Sequence, residues 1–309
     1  MILIISNSVD LVEPVTNTIR EISSEEVVIF RSDKCLAGEG LSFVCTDEIS
    51  EVFLDVEQLS FDLSAINKAW FYKPMLPKAL REYEPHQDAI FIYRQFLATW
   101  RSLTSFLRQD IWLNDYYRSL EAENKPYQLK IARNVGFKIP DTLITTNPDR
   151  ATKFWQRCEK QMVIKALAFS PFPKKVVFTN QMTDQLMAEI SRIKSSPVIL
   201  QKLIPGKQEY RITVVGNEVY TAAIQSNSPV DWRRGLVSAT PAELPLDLQN
   251  RCVEIVKTLG LRFGCIDMIQ DENGDYYFLE INPNGQWRFV EEQAGLPIGE
   301  SIARLLVSM

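Results

Sequence analysis

The stretch from Phe263 to Asn282, FGCIDMIQDENGDYYFLEIN, constrains this chain more than any other. Asn273-Gly274 lies between two apolar, aromatic-rich arms, and both residues can adopt the positive φ of a tight turn, so the spacing predicts a β-hairpin. A two-residue loop sets Asp267 opposite Glu280; a four-residue loop sets it opposite Phe278. Side chains alternate along a strand, so either register puts Phe278, Glu280 and Asn282 on one face and Leu279 and Ile281 on the other. Asp267 joins Glu280 and Asn282 in both. An unpaired buried ion costs on the order of tens of kcal/mol in the Born limit, so two carboxylates and an amide among apolar neighbours call for a cation. Few ligands, all oxygen, suit magnesium sharing its shell with water and phosphates. The competing reading is a solvated acidic face. The NPNG that follows ends the strand, re-aims the backbone beside Asn282 and favours a site.

The 309 residues are 46% apolar and 24% charged, enough for an ample core in two or three compact units. A net charge of −5 argues against a general nucleic-acid or membrane-surface binder. No apolar run approaches the roughly twenty residues needed to cross a bilayer, and MILIIS, without a basic leader, reads as a first strand rather than a signal peptide. Cys35, Cys45, Cys158, Cys252 and Cys265 lack C-x-x-C spacing, which predicts neither zinc nor disulfides and a cytoplasmic location. The one histidine, His86, sits in a polar REYEPHQD context and reads as surface loop. Any chemistry must therefore proceed without a histidine base.

Strand-like ILIIS and EVVIF alternate with amphipathic stretches up to about Leu113, predicting an open-sheet α/β domain over 1–113. Cys35 to Ser64 is acidic and reads as irregular. KAWFYKP, Lys68 to Pro74, is a strand in which Trp70 and Tyr72 suit a core and Lys73 a site-facing charge. Ala89 to Phe106 is a long helix. Asn124 reads as an N-cap with Pro126 behind it and Gly136 ending the helix. Lys125 thereby falls at a helix start, which the dipole disfavours unless an anion is near. TLIT and QMVIKA are strands, the latter interrupted by Lys165, which either snorkels or meets an anion. Met182 to Ile193 is an amphipathic helix, PVILQKLI a strand stopped by Pro205-Gly206, and EYRITVVGNEVYTAAIQ a second hairpin turned at Gly216-Asn217. Leu246 to Leu259 and Ile298 to Val307 are helices, the former capped by Gly260.

LEINPNGQW, preceded by GCIDMI, resembles the metal-binding end of the ATP-grasp superfamily, whose D…E-x-N set holds two magnesium ions against ATP. NPNGQW followed by EEQAGLPI is similar to the microviridin-type peptide maturases, the graspetide macrocyclases. Matching features run from about Trp70 to the C-terminus. The resemblance implies an α/β ATP-grasp fold: a pre-ATP-grasp domain over 1–113, a central subdomain over 114–204 and a C-terminal subdomain over 205–309, with the nucleotide between the last two. It also implies roles. Asp267, Glu280 and Asn282 bind metal. Lys125 and Lys165 reach phosphates, with Lys130 the weaker candidate. Backbone groups around Gln201, Lys202 and Leu203 read the adenine edge, and Glu209 takes the ribose hydroxyls. Arg233, with Arg234 in reserve, faces the γ-phosphate and the acyl phosphate. Arg211 shares a strand face with Glu209 and is either a second such arginine or half of an ordinary ion pair.

One departure stands out. ALAFSPFPKKVVFT has no glycine where many ATP-grasp enzymes close a glycine-rich flap, so that either Lys174 and Lys175 substitute charge for backbone amides or the loop orders only when substrate binds. No P-loop or dinucleotide fingerprint occurs. The implied activity is ATP-dependent ligation through an acyl phosphate, whose first step attacks with an already ionised carboxylate and needs no base. In the graspetide branch the partner is a precursor peptide with a leader and a core bearing acidic and Ser, Thr or Lys residues, and the enzyme is a possible homodimer. Two alternatives stand beside it: an ATP-grasp amino-acid or glutamate ligase, and a nucleotide-binding protein without ligase activity.

Overall fold

The computed structural model describes residues 1–309 apart from 58, 74–85, 169–177, 229 and 236, and apart from the side chains at 86 and 207. The first unit comprises β1 (Ile2–Ser6), α1 (Glu13–Ile22), β2 (Val27–Arg31), β3 (Gly40–Cys45), β4 (Ser50–Val56), β5 (Leu59–Asp62), β6 (Lys68–Phe71) and α2 (His86–Phe106). Strands β2-β1-β6 form a parallel sheet, and every residue of β1 is buried, as a central strand covered on both faces requires. Ile2 and Ile4 pack with Val15, Ile19, Ile302 and Leu306, while Leu3 and Ile5 pack with Leu54, Trp100 and Trp112.

The irregular reading of Cys35 to Ser64 is overturned. After a 3-10 turn, β3-β4-β5 form an antiparallel sheet. Its polar residues conceal it because much of β3 and β5 is exposed and only Leu54 and Val56 of β4 are buried. Met182 to Ile193 also differs: α6 (Asp184–Ala188) gives way to a 3-10 segment, Ile190–Ser195, and only Ile193 of the two is buried. With so little apolar contact, nothing holds a continuous α-helix there.

Next come α3 (Tyr116–Ala122), α4 (Lys125–Asn134), β7 (Thr142–Thr145), α5 (Pro148–Arg157), β8 (Met162–Ala166), β9 (Asn180–Gln181) and β10 (Val198–Lys202). Strands β7-β10-β8-β9 make an antiparallel sheet whose core joins Leu200 and Met162 to Phe154 and Trp155. The last unit contains β11 (Gly206–Val215), β12 (Glu218–Ser226), β13 (Val237–Pro241), α7 (Leu246–Thr258), β14 (Phe263–Asp271), β15 (Tyr276–Asn282), α8 (Arg288–Ala294) and α9 (Ile298–Ser308). Its sheet, β13-β12-β11-β14-β15, is antiparallel throughout.

One face of this last sheet carries Ile212, Ile266, Met268, Phe278 and Ile281 against α7, with Ala122, Ile131 and Ala132 completing the same core. Residues 116–137 thus share their core with the C-terminal sheet although they precede the central strands in sequence. The opposite face is covered at one end, where Phe263 and Cys265 meet Trp287, Ile302 and the first unit. Its other end looks towards β8 and β10, and the cleft lies there.

Candidate active site

The opening hairpin forms, with a different turn. Asp271 N–H donates to Asp275 O at 2.9 Å, closing a three-residue loop, and Gly274 alone of the pair has positive φ, at +86°. Further along, Met268 pairs with Phe278 but Asp267 with Glu280, which leaves Leu279 as an extra residue. This β-bulge overturns strict alternation. Phe278 goes to the core with Ile281, while Leu279 joins Glu280 in lining the cleft. The bulge restores the Asp267–Glu280 juxtaposition that a three-residue turn would otherwise lose by one residue.

Two buried amides lock the acids' backbone. Gln128 on α4 donates to Ile281 O at 2.7 Å and accepts from Ile281 N–H at 3.2 Å. Asn114 donates to Phe263 O at 2.8 Å and Pro283 O at 3.1 Å, and accepts from the N–H groups of Arg262 and Phe263. Gln128 was not among the expected site residues, since an amide on a helix body carries no signature until its partner strand is known. Gly285 is required by close approach: a Cβ there would lie 2.3 Å from Cys265 Cβ and 2.6 Å from Arg211 Nη2.

Each acid is held by a cation. Arg211 Nη1 donates to both oxygens of Asp267 at 2.8 and 2.9 Å, with side-chain exposures of 5% and 16%, and its Nη2 donates to Gln286 O at 3.0 Å. The ordinary ion pair considered for Arg211 from sequence therefore forms across the sheet: Asp267 lies directly opposite Arg211 on β14 and takes it. Lys125 Nζ donates to Glu280 at 2.9 Å, and Asn282 Nδ2 donates to the other Glu280 oxygen at 2.9 Å. Asn124 caps α4 through Tyr127 N–H, so the anion that a lysine at this helix start calls for is Glu280. Burial opposes ionisation of Glu280, but Lys125 and the Asn282 amide outweigh it and hold the carboxyl down at about 2. Asp267 is pushed up, chiefly by burial, against the pull of Arg211.

Across the cleft, Lys165 Nζ donates to Gln201 Oε1 at 2.8 Å, and Gln201 Nε2 donates to Thr142 Oγ1 at 3.0 Å. Lys165 is thus held by a side chain, not snorkelling freely, and burial lowers its pKa. The N–H groups of Lys202 and Leu203 are spent on Asp141 O at 2.8 Å and Gln161 O at 3.0 Å, so that side of these residues is not offered to a base. Glu209 has its pKa raised to about 7 by burial, with Asp267 and Asp231 adding to it. Asp231, 3% exposed, grips the Arg233 guanidinium through both oxygens at 2.8 and 2.6 Å and accepts Thr179 N–H at 2.9 Å. Arg234 reaches Thr179 O and Asn180 Oδ1 and sits over Phe178. The loop after β12 therefore bridges the two sheets. Lys174 and Lys175 lie outside the described residues, as does the side chain of His86.

Two connected compartments result. One of about 360 Å³ has apolar walls including Val163, Leu203, Ile204 and Ile269, and suits a flat heterocycle. The other, of about 400 Å³, collects Lys73, Lys125, Lys165, Arg211 and Arg233 around Asp267, Glu280 and Asn282. Lys165, Glu209 and Leu279 border both. Lys130 faces a separate groove with Pro126 and Ile139, and Arg234 does not line the charged compartment. Among the described residues no three His, Cys, Asp or Glu side chains form a metal cage. Two carboxylates with one amide nonetheless fit a hard divalent ion that keeps water and phosphate oxygens in its shell.

Two antiparallel sheets facing across such a cleft, Lys165 on one side and the paired acids on the other, define the ATP-grasp class of ligases. The RimK-like ATP-grasp domain model matches residues 122–306, more than half of the chain, which belongs to that family. Two solved structures extend the likeness to the whole chain. A RiPP-associated ATP-grasp ligase of Chryseobacterium gregarium, solved with ADP and a leader and core peptide, is 29% identical with a TM-score of 0.82, covering 99% of this chain and 96% of that one. The macrocyclase MdnC of Microcystis aeruginosa MRC, bound with precursor peptide MdnA, is 25% identical with a TM-score of 0.84, covering 100% and 99%. The alpha-aminoadipate–LysW ligase LysX of Sulfurisphaera tokodaii is 21% identical over 178 residues, 55% of this chain; the match spans 62% of that relative's length.

Proposed function

We propose that this chain is an ADP-forming ligase that crosslinks side chains of a ribosomally made precursor peptide. It would activate an Asp or Glu carboxylate with ATP and join it to a Ser or Thr hydroxyl as an ester, or to a Lys amine as an amide. The observation that carries the reading is the Asp267–Glu280 pairing within a cation-rich compartment that opens onto a second one bordered by Val163, Leu203, Ile204 and Ile269. Full-length likeness to a peptide-bound macrocyclase and to a ligase solved with leader and core peptides supports the acceptor.

Asp267, Glu280 and Asn282 would hold two magnesium ions, which supply charge neutralisation and in-line orientation of the phosphates when bound. The chain's own groups do the rest. Lys165, held by Gln201, and Lys125 meet phosphate oxygens, and Glu209 faces the ribose. Arg233, oriented by Asp231, meets charge that develops on the transferred phosphoryl group. A cytoplasmic setting accords with five free cysteines, and among the described residues no helix is long and apolar enough to cross a membrane.

The test is incubation with ATP, magnesium and leader-bearing peptides encoded beside the gene, read by mass spectrometry and nucleotide analysis. Loss of one water per bond with ADP released supports the assignment. AMP release, or no mass change with any such peptide, sinks it. A second reading, ligation of an amino acid onto a small molecule or protein terminus, is favoured by the LysX match. It predicts a gain of one residue's mass rather than loss of water.

A further inference from the structure

Among the described residues, Lys73 is the one cation lining the charged compartment that is contributed by the first unit. It directly follows Tyr72, which fixes where it points: Tyr72 N–H donates to Ile5 O at 2.8 Å, its ring stacks on Trp70, and its hydroxyl donates to Gly285 O at 3.3 Å. The NPNG segment thus ties the end of β6 to the wall that holds Arg211. Lys73 itself adopts φ +49°, a left-handed conformation that an L-residue with a long side chain rarely takes. Such strain persists where the surrounding structure dictates it, and it concentrates at ligand-binding positions.

The electrostatics are as unusual. Lys125 and Arg211 pair with Glu280 and Asp267, and Arg233 with Asp231, whereas Lys73 has no carboxylate partner among the described residues. Its ammonium lies 5.9 Å from the Tyr72 ring centroid, and burial, reinforced by the Arg211 charge, lowers its pKa to about 8. Arg211 Nε is also buried without a partner. A desolvated ammonium beside a second cation is costly unless an anion arrives.

Lys73 lines the charged compartment and not the one beside it, so it stands apart from a base or sugar bound there. Gly285 and Gln286 line the same compartment, as do the acids of β14 and β15. We propose that Lys73, supported by Arg211, is the binding subsite for the substrate side-chain carboxylate, presenting it to the terminal phosphate held by Lys165 and Lys125. The assignment rests on the ligase reading and names the residue that selects an anionic acceptor.

The test compares wild type, Lys73→Met and Lys73→Arg, each checked for folding by thermal melting. Loss of one charged hydrogen bond corresponds to about 10–100-fold. Lys73→Met should lower kcat/KM for peptide crosslinking by tenfold or more with MgADP affinity within about twofold of wild type, and Lys73→Arg should recover most of the loss. A crosslinking loss smaller than tenfold, or a parallel loss of MgADP affinity, overturns the subsite. Should wild type crosslink no peptide, the ligase reading fails separately. The subsite is then read by titrating glutarate into the MgADP-loaded protein and following the Lys73 ε-carbon by NMR. A rise in its titration midpoint supports the assignment, and an unchanged midpoint overturns it.

Discussion

Arg211 and Asp267 face each other across β11 and β14, one guanidinium nitrogen donating to both carboxylate oxygens at 2.8 and 2.9 Å. Lys125 pairs with one oxygen of Glu280 from the start of α4, and Asn282 donates to the other. Paired this way, the acids proposed to bind metal carry their counter-charge in advance, and neither waits in a low-dielectric cleft as an isolated ion. Breaking a buried pair from one side costs about 3–5 kcal/mol, because the remaining charge is stranded. The cations therefore position both acids, and Lys125 with the Asn282 amide keeps Glu280 ionised.

Glu280→Gln removes a proposed metal ligand while keeping its shape and the Gln128 clamp on the neighbouring backbone. Turnover should fall by at least ~10³-fold with the fold kept and the melting temperature lowered by several degrees, because Lys125 loses its partner. Magnesium-dependent activity close to wild type would remove Glu280 from the metal site.

Lys165→Ala takes away the ammonium that Gln201 aims into the cleft. Affinity for MgATP should weaken by roughly 10–100-fold, the worth of a charged hydrogen bond. Calorimetry showing the wild-type dissociation constant would leave Lys165 with a packing role only.

Arg233→Ala should reduce turnover by about 10²–10³-fold and nucleotide affinity by less than tenfold, as expected of a group that meets charge developing in the transition state. Because Asp231 then keeps only Thr179 N–H and the adjacent backbone, Arg233→Lys serves as the folded control. Equal losses in both constants would deny Arg233 that role.

Glu209 protonates near pH 7 in the folded chain against 4.5 ordinarily, burial being the main cause. Below pH 4.5 folded and unfolded states are both protonated; between 4.5 and 7 only the unfolded state loses its proton, so stability falls as pH rises through this window. Above pH 7 the full cost stands. Glu209→Gln should therefore be more stable than the ligand-free wild type at pH 8 by about 1 kcal/mol, allowing for partial solvent screening, and equal to it at pH 4. Urea denaturation at the two pH values checks this, and a difference independent of pH contradicts it.

Much of the architecture is legible in local pattern. Continuous apolar runs such as ILIIS mark central strands, Asn124 and Asn147 before prolines mark helix starts, and Gly260 with φ +72° marks a helix end. Lys165 is conspicuous because a lysine interrupts an apolar strand, and Arg233 because it follows an aspartate in a turn. The β3–β5 sheet was not legible, since its solvated faces erase the alternation that burial would impose. Gln128 and the Gln201 side chain were not legible as positioning groups because each acts through a partner on a distant stretch of the chain, Ile281 and Lys165 respectively.

Sequence by itself determined that Asp267, Glu280 and Asn282 would lie on one side of a hairpin, because strand periodicity and turn chemistry act over a few residues. Tertiary structure decided how they meet: a three-residue turn and a bulge at Leu279 together restored the pairing, and Arg211 found its partner in Asp267 on the neighbouring strand. The choice of ion pairs depends on which strands become neighbours and how much water is left between them. Both are properties of the packed sheets and of no single stretch of chain.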